Sequence, residues 1–357
     1  MKIIAEIGTT HRGSLQKAER LIREASLSGA DTAKFQIVIA HEILHPRTGS
    51  VPLPGGPTPL YEVFESLEQE LSFYEALKEM TEAEGMSFLA TPFGLESAAL
   101  LKSLNPDAVK IASPELNYTD LLREISSWKI PVILSSGVCE LEDIQEATTI
   151  LGKDDLTLLH CVTAYPAPVE DYNLSLLPAL REELALPLGV SDHSLNPSLV
   201  PCVAYSFGAV MVEKHFTLSR EEDGLDDPIA LEPADFRLMV DRLRELESLN
   251  APSEVKKRLE QWFSSHDIKA VSGSGIKTLA PSEKENYGRT NRSVHALLDL
   301  KAGTILTEEN SCVVRTEKVL TPGMHPRYYR GILGMRVNRN IPSGEGILET
   351  DIEAFQS

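Results

Sequence analysis

The chain has 357 residues, more than a usual single domain, so a unit of roughly 250 residues plus a smaller one is the natural division. Its make-up, 42% hydrophobic, 24% charged and 6% aromatic, is that of an ordinary globular protein, and a net charge of −19 argues against a nucleic-acid or anionic-membrane surface. No apolar run approaches the ~18 residues of a membrane span, and Glu6 arrives too soon for a signal peptide. The scattered Cys139, Cys161, Cys202 and Cys312 form no CxxC pair, which predicts a reducing cytoplasm rather than a disulfide framework or a thiolate zinc site.

In chain order, eight short apolar runs carry at or near their ends a residue able to bind a phosphate, a carboxylate or a metal. They are Ile3-Ile4-Ala5-Glu6, Ala33-Lys34-Phe35-Gln36, Phe88-Leu89-Ala90-Thr91, Val109-Lys110-Ile111, Val132-Ile133-Leu134-Ser135, Leu158-Leu159-His160, Leu188-Gly189-Val190-Ser191-Asp192-His193 and Met211-Val212-Glu213-Lys214-His215. Helical stretches alternate with them. Leu15 to Ser28 places Leu15, Ala18, Leu21, Ile22 and Ala25 on one face and stops at Gly29. Leu71 to Gly85 is the next helix; Pro233 to Leu249 is the last of the series, with its proline tolerated at the start, and amphipathic character runs on to about Trp262. The alternation predicts an α/β fold, a (β/α)8 TIM barrel over residues 1–263, whose C-terminal rim is where such barrels do chemistry. The Pro- and Gly-rich stretch from His41 to Pro59 is too long for a simple connection and reads as a lid or substrate loop. Residues 264–292 read as a linker. Residues 293–357 read as a small β-rich module, broken at Lys301-Ala302-Gly303, Pro322-Gly323 and Pro342-Ser343-Gly344.

Strand alternation puts Gly189, Ser191 and His193 on one face and Met211, Glu213 and His215 on one face of the next strand. With those faces inward, two imidazoles on strands ~4.8 Å apart can share one divalent ion, for which Mn²⁺, Fe²⁺, Co²⁺ and Zn²⁺ are all suited. Lys34 and Lys110 sit within apolar strands, where an ammonium group is costly unless an anion accompanies it. With Thr91, Ser113 and Ser135 they describe a phosphate or phosphocarboxylate cradle, the alternative being a buried Lys–Glu pair with Glu6 or Glu115. Glu6, Glu115 and Asp226 are candidates to hold the hydroxyls of a polar substrate. The chain has no Ser-His-Asp elbow, Walker sequence or GxGxxG, which disfavours serine hydrolases, P-loop enzymes and dinucleotide oxidoreductases.

Taken together and in order, these residues resemble the sialic acid synthase family. The match runs through Ala5-Glu6-Ile7-Gly8 with His11 and Gly13, Gly29-Ala30-Asp31-Thr32-Ala33-Lys34-Phe35-Gln36, Ala90-Thr91-Pro92-Phe93 and Lys110-Ile111-Ala112-Ser113-Pro114-Glu115. It continues through Leu134-Ser135-Ser136-Gly137, His160-Cys161-Val162-Thr163-Ala164-Tyr165-Pro166, Gly189-Val190-Ser191-Asp192-His193-Ser194 and Glu213-Lys214-His215-Phe216-Thr217. The tail from Arg292-Ser293 resembles the antifreeze-like (SAF) domain. The resemblance implies condensation of phosphoenolpyruvate with an N-acylated amino-sugar aldehyde, giving a nine-carbon 2-keto-3-deoxy acid and phosphate. It implies that Lys34, Thr91, Lys110, Ser113, Ser135 and Ser191 hold phosphoenolpyruvate, and that Glu6, Gln36, Tyr165 and Asp226 contact the sugar, with Glu115 nearby. His193 and His215 would hold the divalent cation, Mn²⁺ foremost with Mg²⁺ or Co²⁺ as alternatives. Glu6, Glu115 and Glu213 are the expected catalytic carboxylates, with Glu213 or Glu115 accepting a proton. Arg315 matches an arginine by which one subunit completes its partner's barrel, so a homodimer with shared sites is implied.

Four departures from the family pattern stand out: Thr10 and Thr163 stand where Asn, or Asn or Ser, is usual; Leu225 and Thr316-Glu317 replace Pro and Pro-Gly. They bear on substrate identity more than on reaction type, and Thr163 stays a candidate substrate contact. A barrel synthase acting on an aldose phosphate would need a further cationic site, and a non-catalytic sugar- or ice-binding protein would leave the polar rim without a use.

Overall fold

The computed structural model describes residues 1–53 and 56–353. Eight parallel strands form one sheet: β1 (Lys2–Gly8), β2 (Thr32–Ile37), β3 (Ser87–Pro92), β4 (Val109–Ile111), β5 (Val132–Ser135), β6 (Leu156–Cys161), β7 (Leu188–Asp192) and β8 (Met211–His215). Their order, β3-β2-β1-β8-β7-β6-β5-β4, curls the sheet into a barrel, with β3 packed against β4 at a seam that carries no strand ladder. Each of the eight apolar runs supplies one of these strands.

The first outer helix buries the stripe its spacing predicts except at Leu15, which is 41% exposed at the helix start. Leu15–Leu27 begins at Ser14, whose hydroxyl accepts from the Lys17 N–H, and buries Ala18, Leu21, Ile22 and Ala25 against the barrel. Gly29 ends it at φ +89°, a conformation that favours glycine. Leu71–Ala83 and Pro233–Glu247 are the other two helices expected from the sequence.

Inside the barrel, Ile4, Leu89, Ile133, Leu159 and Met211 pack into one apolar layer. Two residues further along the same strands stand Glu6, Thr91, Ser135, Cys161 and Glu213, all buried. Period-two alternation therefore stacks a polar layer directly above an apolar floor. At Gly189 the neighbouring strand packs too close for a side chain, since a Cβ there would lie 2.4 Å from the Met211 carbonyl oxygen.

The stretch expected to be an irregular lid is ordered. It forms a short helix (Ala40–Ile43), an antiparallel pair (Ser50–Leu53 with Gly56–Pro59) and a further helix (Leu60–Glu65); Pro54 and Gly55 lie outside the described residues. Val38, Ile43, Leu44, Leu60 and Phe93 give it a small core of its own. Residues 264–292 differ from a free linker: Ser265–Ser272 is helical, with Ser264 as its cap, and packs on the Leu199–Ser206 helix. The tail pairs β9 (Arg292–Ala296) with β10 (Ser311–Arg315) over a second core that includes Val294, Leu306, Ile332, Val337 and Ile347.

Candidate active site

The polar layer opens into a cleft with about 830 Å³ of empty space, lined by every residue expected in the site except Glu115 and Thr163. On one side, the Lys34 Nζ lies 3.2 Å from Glu6 Oε2 and 3.0 Å from Glu213 Oε2. Gln36 Nε2 donates to Glu6 Oε1 (2.8 Å), and Ser191 Oγ donates to Glu213 Oε1 (2.9 Å). Lys34 therefore shows the alternative arrangement, a buried Lys–Glu pair, with Glu6 and Glu213 as partners. Lys110 is held differently: its Nζ donates to Ser135 Oγ (2.6 Å) and to the Ile111 carbonyl (3.0 Å).

This arrangement separates two carboxyl groups that sit on neighbouring strands. Burial raises Glu6 to about 7, with Lys34 opposing the shift and Glu213 adding to it. Burial would raise Glu213 too, but Lys110 and Lys34 outweigh it and hold the group down to about 2. Burial also brings the Lys110 ammonium down to about 8, against the pull of Glu213 and with help from Lys34. The cleft thus holds a fixed anion, an acid that exchanges protons near neutrality, and a cation able to receive an anionic ligand.

The histidine pair faces the same space. The His193 backbone N–H donates to the Tyr172 hydroxyl (2.7 Å), and its Nδ1 lies 2.8 Å from the Val162 carbonyl. A carbonyl accepts only, so Nδ1 carries the proton and Nε2 keeps its lone pair. Tyr165 stacks on this ring at 4.3 Å, and the His215 ring lies 5.4 Å from it. His215 Nδ1 lies 3.6 Å from Asp226 Oδ2. Burial lowers both histidines, His215 further because His193 and Lys34 are close, so both rings are neutral. Burial raises Asp226 to about 6, with His193 opposing. Among the described residues no three His, Cys, Asp or Glu side chains surround one point. Two neutral imidazoles, one of them oriented by a carbonyl, do fit an ion that takes its other ligands from water or substrate.

Glu115 departs from the expected catalytic role. Its Oε1 accepts from Arg315 Nε (3.0 Å) and Nη2 (2.8 Å) and from Arg292 Nε (3.1 Å), so it anchors guanidinium groups behind the cleft wall. Arg292, fully buried, also donates to the carbonyls of Glu42 and Phe93. Arg315 is the chain's own residue here; it reaches the cleft with its guanidinium over the Phe93 ring. Thr163 lies just behind the wall, its N–H donating to Glu283 Oε1 (2.7 Å). Sequence reasoning missed Arg292, Glu283, and the apolar wall formed by Phe64, Leu67 and Phe93. The spacing of Leu60, Phe64 and Leu67 just past Pro59 is the signal that would have found that wall.

Residues 21–254 match the NeuB family and residues 291–353 match the SAF domain, so the polar-mouthed barrel and its tail define an enzyme of the sialic acid synthase type. The chain belongs to the NeuB family. It is 33% identical to the spore coat polysaccharide biosynthesis protein SpsE of Bacillus subtilis, over 98% of this chain and 93% of that one. The crystal structure of that protein superposes with a TM-score of 0.82 at 32% identity, covering 99% and 96% of the two chains. The N,N'-diacetyllegionaminic acid synthase of Legionella pneumophila is 31% identical over 99% of this chain and 94% of its own. A pseudaminic acid synthase of Campylobacter jejuni is 32% identical over 98% and 96%. No helix among the described residues is long and apolar enough to cross a membrane.

Proposed function

We propose that the protein condenses phosphoenolpyruvate with an N-acylated amino-sugar aldehyde resembling N-acetylmannosamine. The product is a nine-carbon 2-keto-3-deoxy acid of the sialic, legionaminic or pseudaminic type, released with phosphate. The observation that carries this reading is the cleft itself, where Lys110 and three serine hydroxyls stand beside two neutral imidazoles and the polar groups of Gln36, Tyr165, Asp226 and Arg315. Relatives that make legionaminic and pseudaminic acids support it.

Lys110, with Ser113 and Ser135, takes the phosphate, and Lys34 orients the same ligand while it bridges Glu6 and Glu213. Gln36, Tyr165, Asp226 and Arg315 position the sugar so that its aldehyde carbon meets the enol carbon. The new carbon–carbon bond leaves cationic character on the phosphate-bearing carbon. Water adds there and phosphate departs by C–O cleavage. Glu6, close to neutrality, takes the proton that this addition releases and returns it to the alkoxide formed when the aldehyde C=O π bond broke, leaving the new hydroxyl. His193 and His215 hold a divalent cation, Mn²⁺ before Mg²⁺ or Co²⁺, which when bound polarises the aldehyde oxygen.

The unpaired thiols of all four cysteines fit a cytoplasmic setting. We also read the functional unit as a homodimer with exchanged tails, each Arg315 seated on the neighbouring barrel as it is seated on its own here. Phosphate release from phosphoenolpyruvate, followed across a panel of N-acetylated hexosamines with and without Mn²⁺, tests the reaction. No release with any of them would dismiss it.

A further inference from the structure

Glu283 belongs to neither the barrel nor the tail fold, yet it is 1% exposed. Its Oε1 accepts from the backbone N–H groups of Val138 and Thr163, both at 2.7 Å, and its Oε2 from Ala280 N at 3.3 Å. Asn291, further along the same segment, donates through Nδ2 to the Val138 carbonyl at 2.9 Å. Residues 280–291 therefore grip both backbone polar groups of one residue, Val138, in the loop after β5. Val138 is β-branched and has φ +45°, a conformation that persists only where the surroundings over-determine it.

This loop begins at Ser135, which lines the cleft and receives the Lys110 proton donor. The next residues pack against the same end of the site. The Gly137 N–H donates to Ser113 Oγ (2.9 Å), and a Cβ at Gly137 would lie 2.0 Å from Thr163 Oγ1 and 3.2 Å from Glu283 Oε1. Movement of the loop would carry Ser113 and Ser135 with it.

We propose that Glu283 is a positioning residue for the anion end of the cleft. Its carboxylate fixes the loops after β5 and β6, so the hydroxyl cradle is complete only when residues 280–291 are docked. The inference rests on the reading that this end takes the phosphate of phosphoenolpyruvate, and its test keeps the two apart. The full chain carries Glu283→Gln, Glu283→Asp or Glu283→Ala. Glutamine keeps one oxygen for the Val138 and Thr163 N–H groups; aspartate keeps the charge but is one methylene short; alanine leaves both donors buried and unpaired.

Glu283→Asp and Glu283→Ala should raise KM for phosphoenolpyruvate about tenfold or more, with the KM for the sugar unchanged, while Glu283→Gln stays within about threefold of the parent. Inorganic phosphate, used alone as a thermal-shift probe, should stabilise the parent and Glu283→Gln and not the other two. If alanine does not fold, the aspartate–glutamine contrast decides. Parent and all folded variants sharing one KM for phosphoenolpyruvate and one phosphate-induced shift would overturn the inference. A parent stabilised by phosphate but unable to turn over phosphoenolpyruvate would remove the proposed reaction and leave the role of Glu283 standing. A parent insensitive to both anions would remove both.

Discussion

At the scale of single residues, the cleft works by setting like groups to different protonation states. Glu6 and Glu213 share Lys34, but Lys110 is closer in effect to Glu213, which keeps its charge while Glu6 sits near neutrality. Lys110 falls to about 8 chiefly through burial, so its cationic form is lost as pH rises through that value. KM for phosphoenolpyruvate should therefore climb above about pH 8. Lys110→Met should show a KM raised by roughly tenfold or more and flat across the same range, since a charge-assisted contact is worth ~1.5–3 kcal/mol. Steady-state kinetics at several pH values checks both, and a Met variant that keeps the parent's pH profile would place the titration elsewhere. Most of these residues were legible in the sequence because a lysine or glutamate inside a strand-length apolar run has few benign explanations. Glu115 misled because its partners, Arg292 and Arg315, lie in a domain nearly two hundred residues away and no local pattern records the pairing.

At the scale of elements, alternation along eight strands accounts for the apolar floor and the polar layer above it, and this is why the barrel could be read from the sequence. His193 and His215 close the two adjacent strands β7 and β8, and that placement motivates a metal prediction. Chelation should abolish turnover, and His215→Ala should lose bound metal together with rate, as measured by elemental analysis of the purified protein. Full activity in excess chelator, with no metal retained, would remove the ion from the reaction. The excursion after β2 and the segment 264–292 were less legible. In the excursion only the short Leu60, Phe64, Leu67 spacing records its order, and residues 264–292 take theirs from tertiary partners, such as the barrel loops that Glu283 holds.

At the scale of the whole molecule, two cores are joined at a buried ionic pin made of Arg292, Glu115 and Arg315. Removing one member of such a group leaves an uncompensated charge, so Glu115→Ala should cost ~3–5 kcal/mol of stability, read by denaturant unfolding. The exchanged dimer is tested by mixing Arg315→Ala chains with His215→Ala chains, each nearly inactive alone. Where tails are exchanged, a mixed dimer holds one site with no lesion, and activity returns as tagged subunits are seen to exchange. Where each chain seats its own tail, every site keeps a lesion, and confirmed mixed dimers stay silent.

The excursion over the cleft is sewn to the tail as well as to the barrel. The backbone of Leu44 bridges to that of Arg315, Thr48 Oγ1 donates to the Thr316 carbonyl at 3.0 Å, and Arg47 Nη1 donates to the Ser343 carbonyl at 3.0 Å. Any movement of this excursion away from the barrel breaks these ties or takes the tail domain with it. Turnover limited by that displacement should slow as sucrose thickens the medium, while a chain unpicked at Thr48 and Arg47 should lose this drag and hold its substrates less firmly.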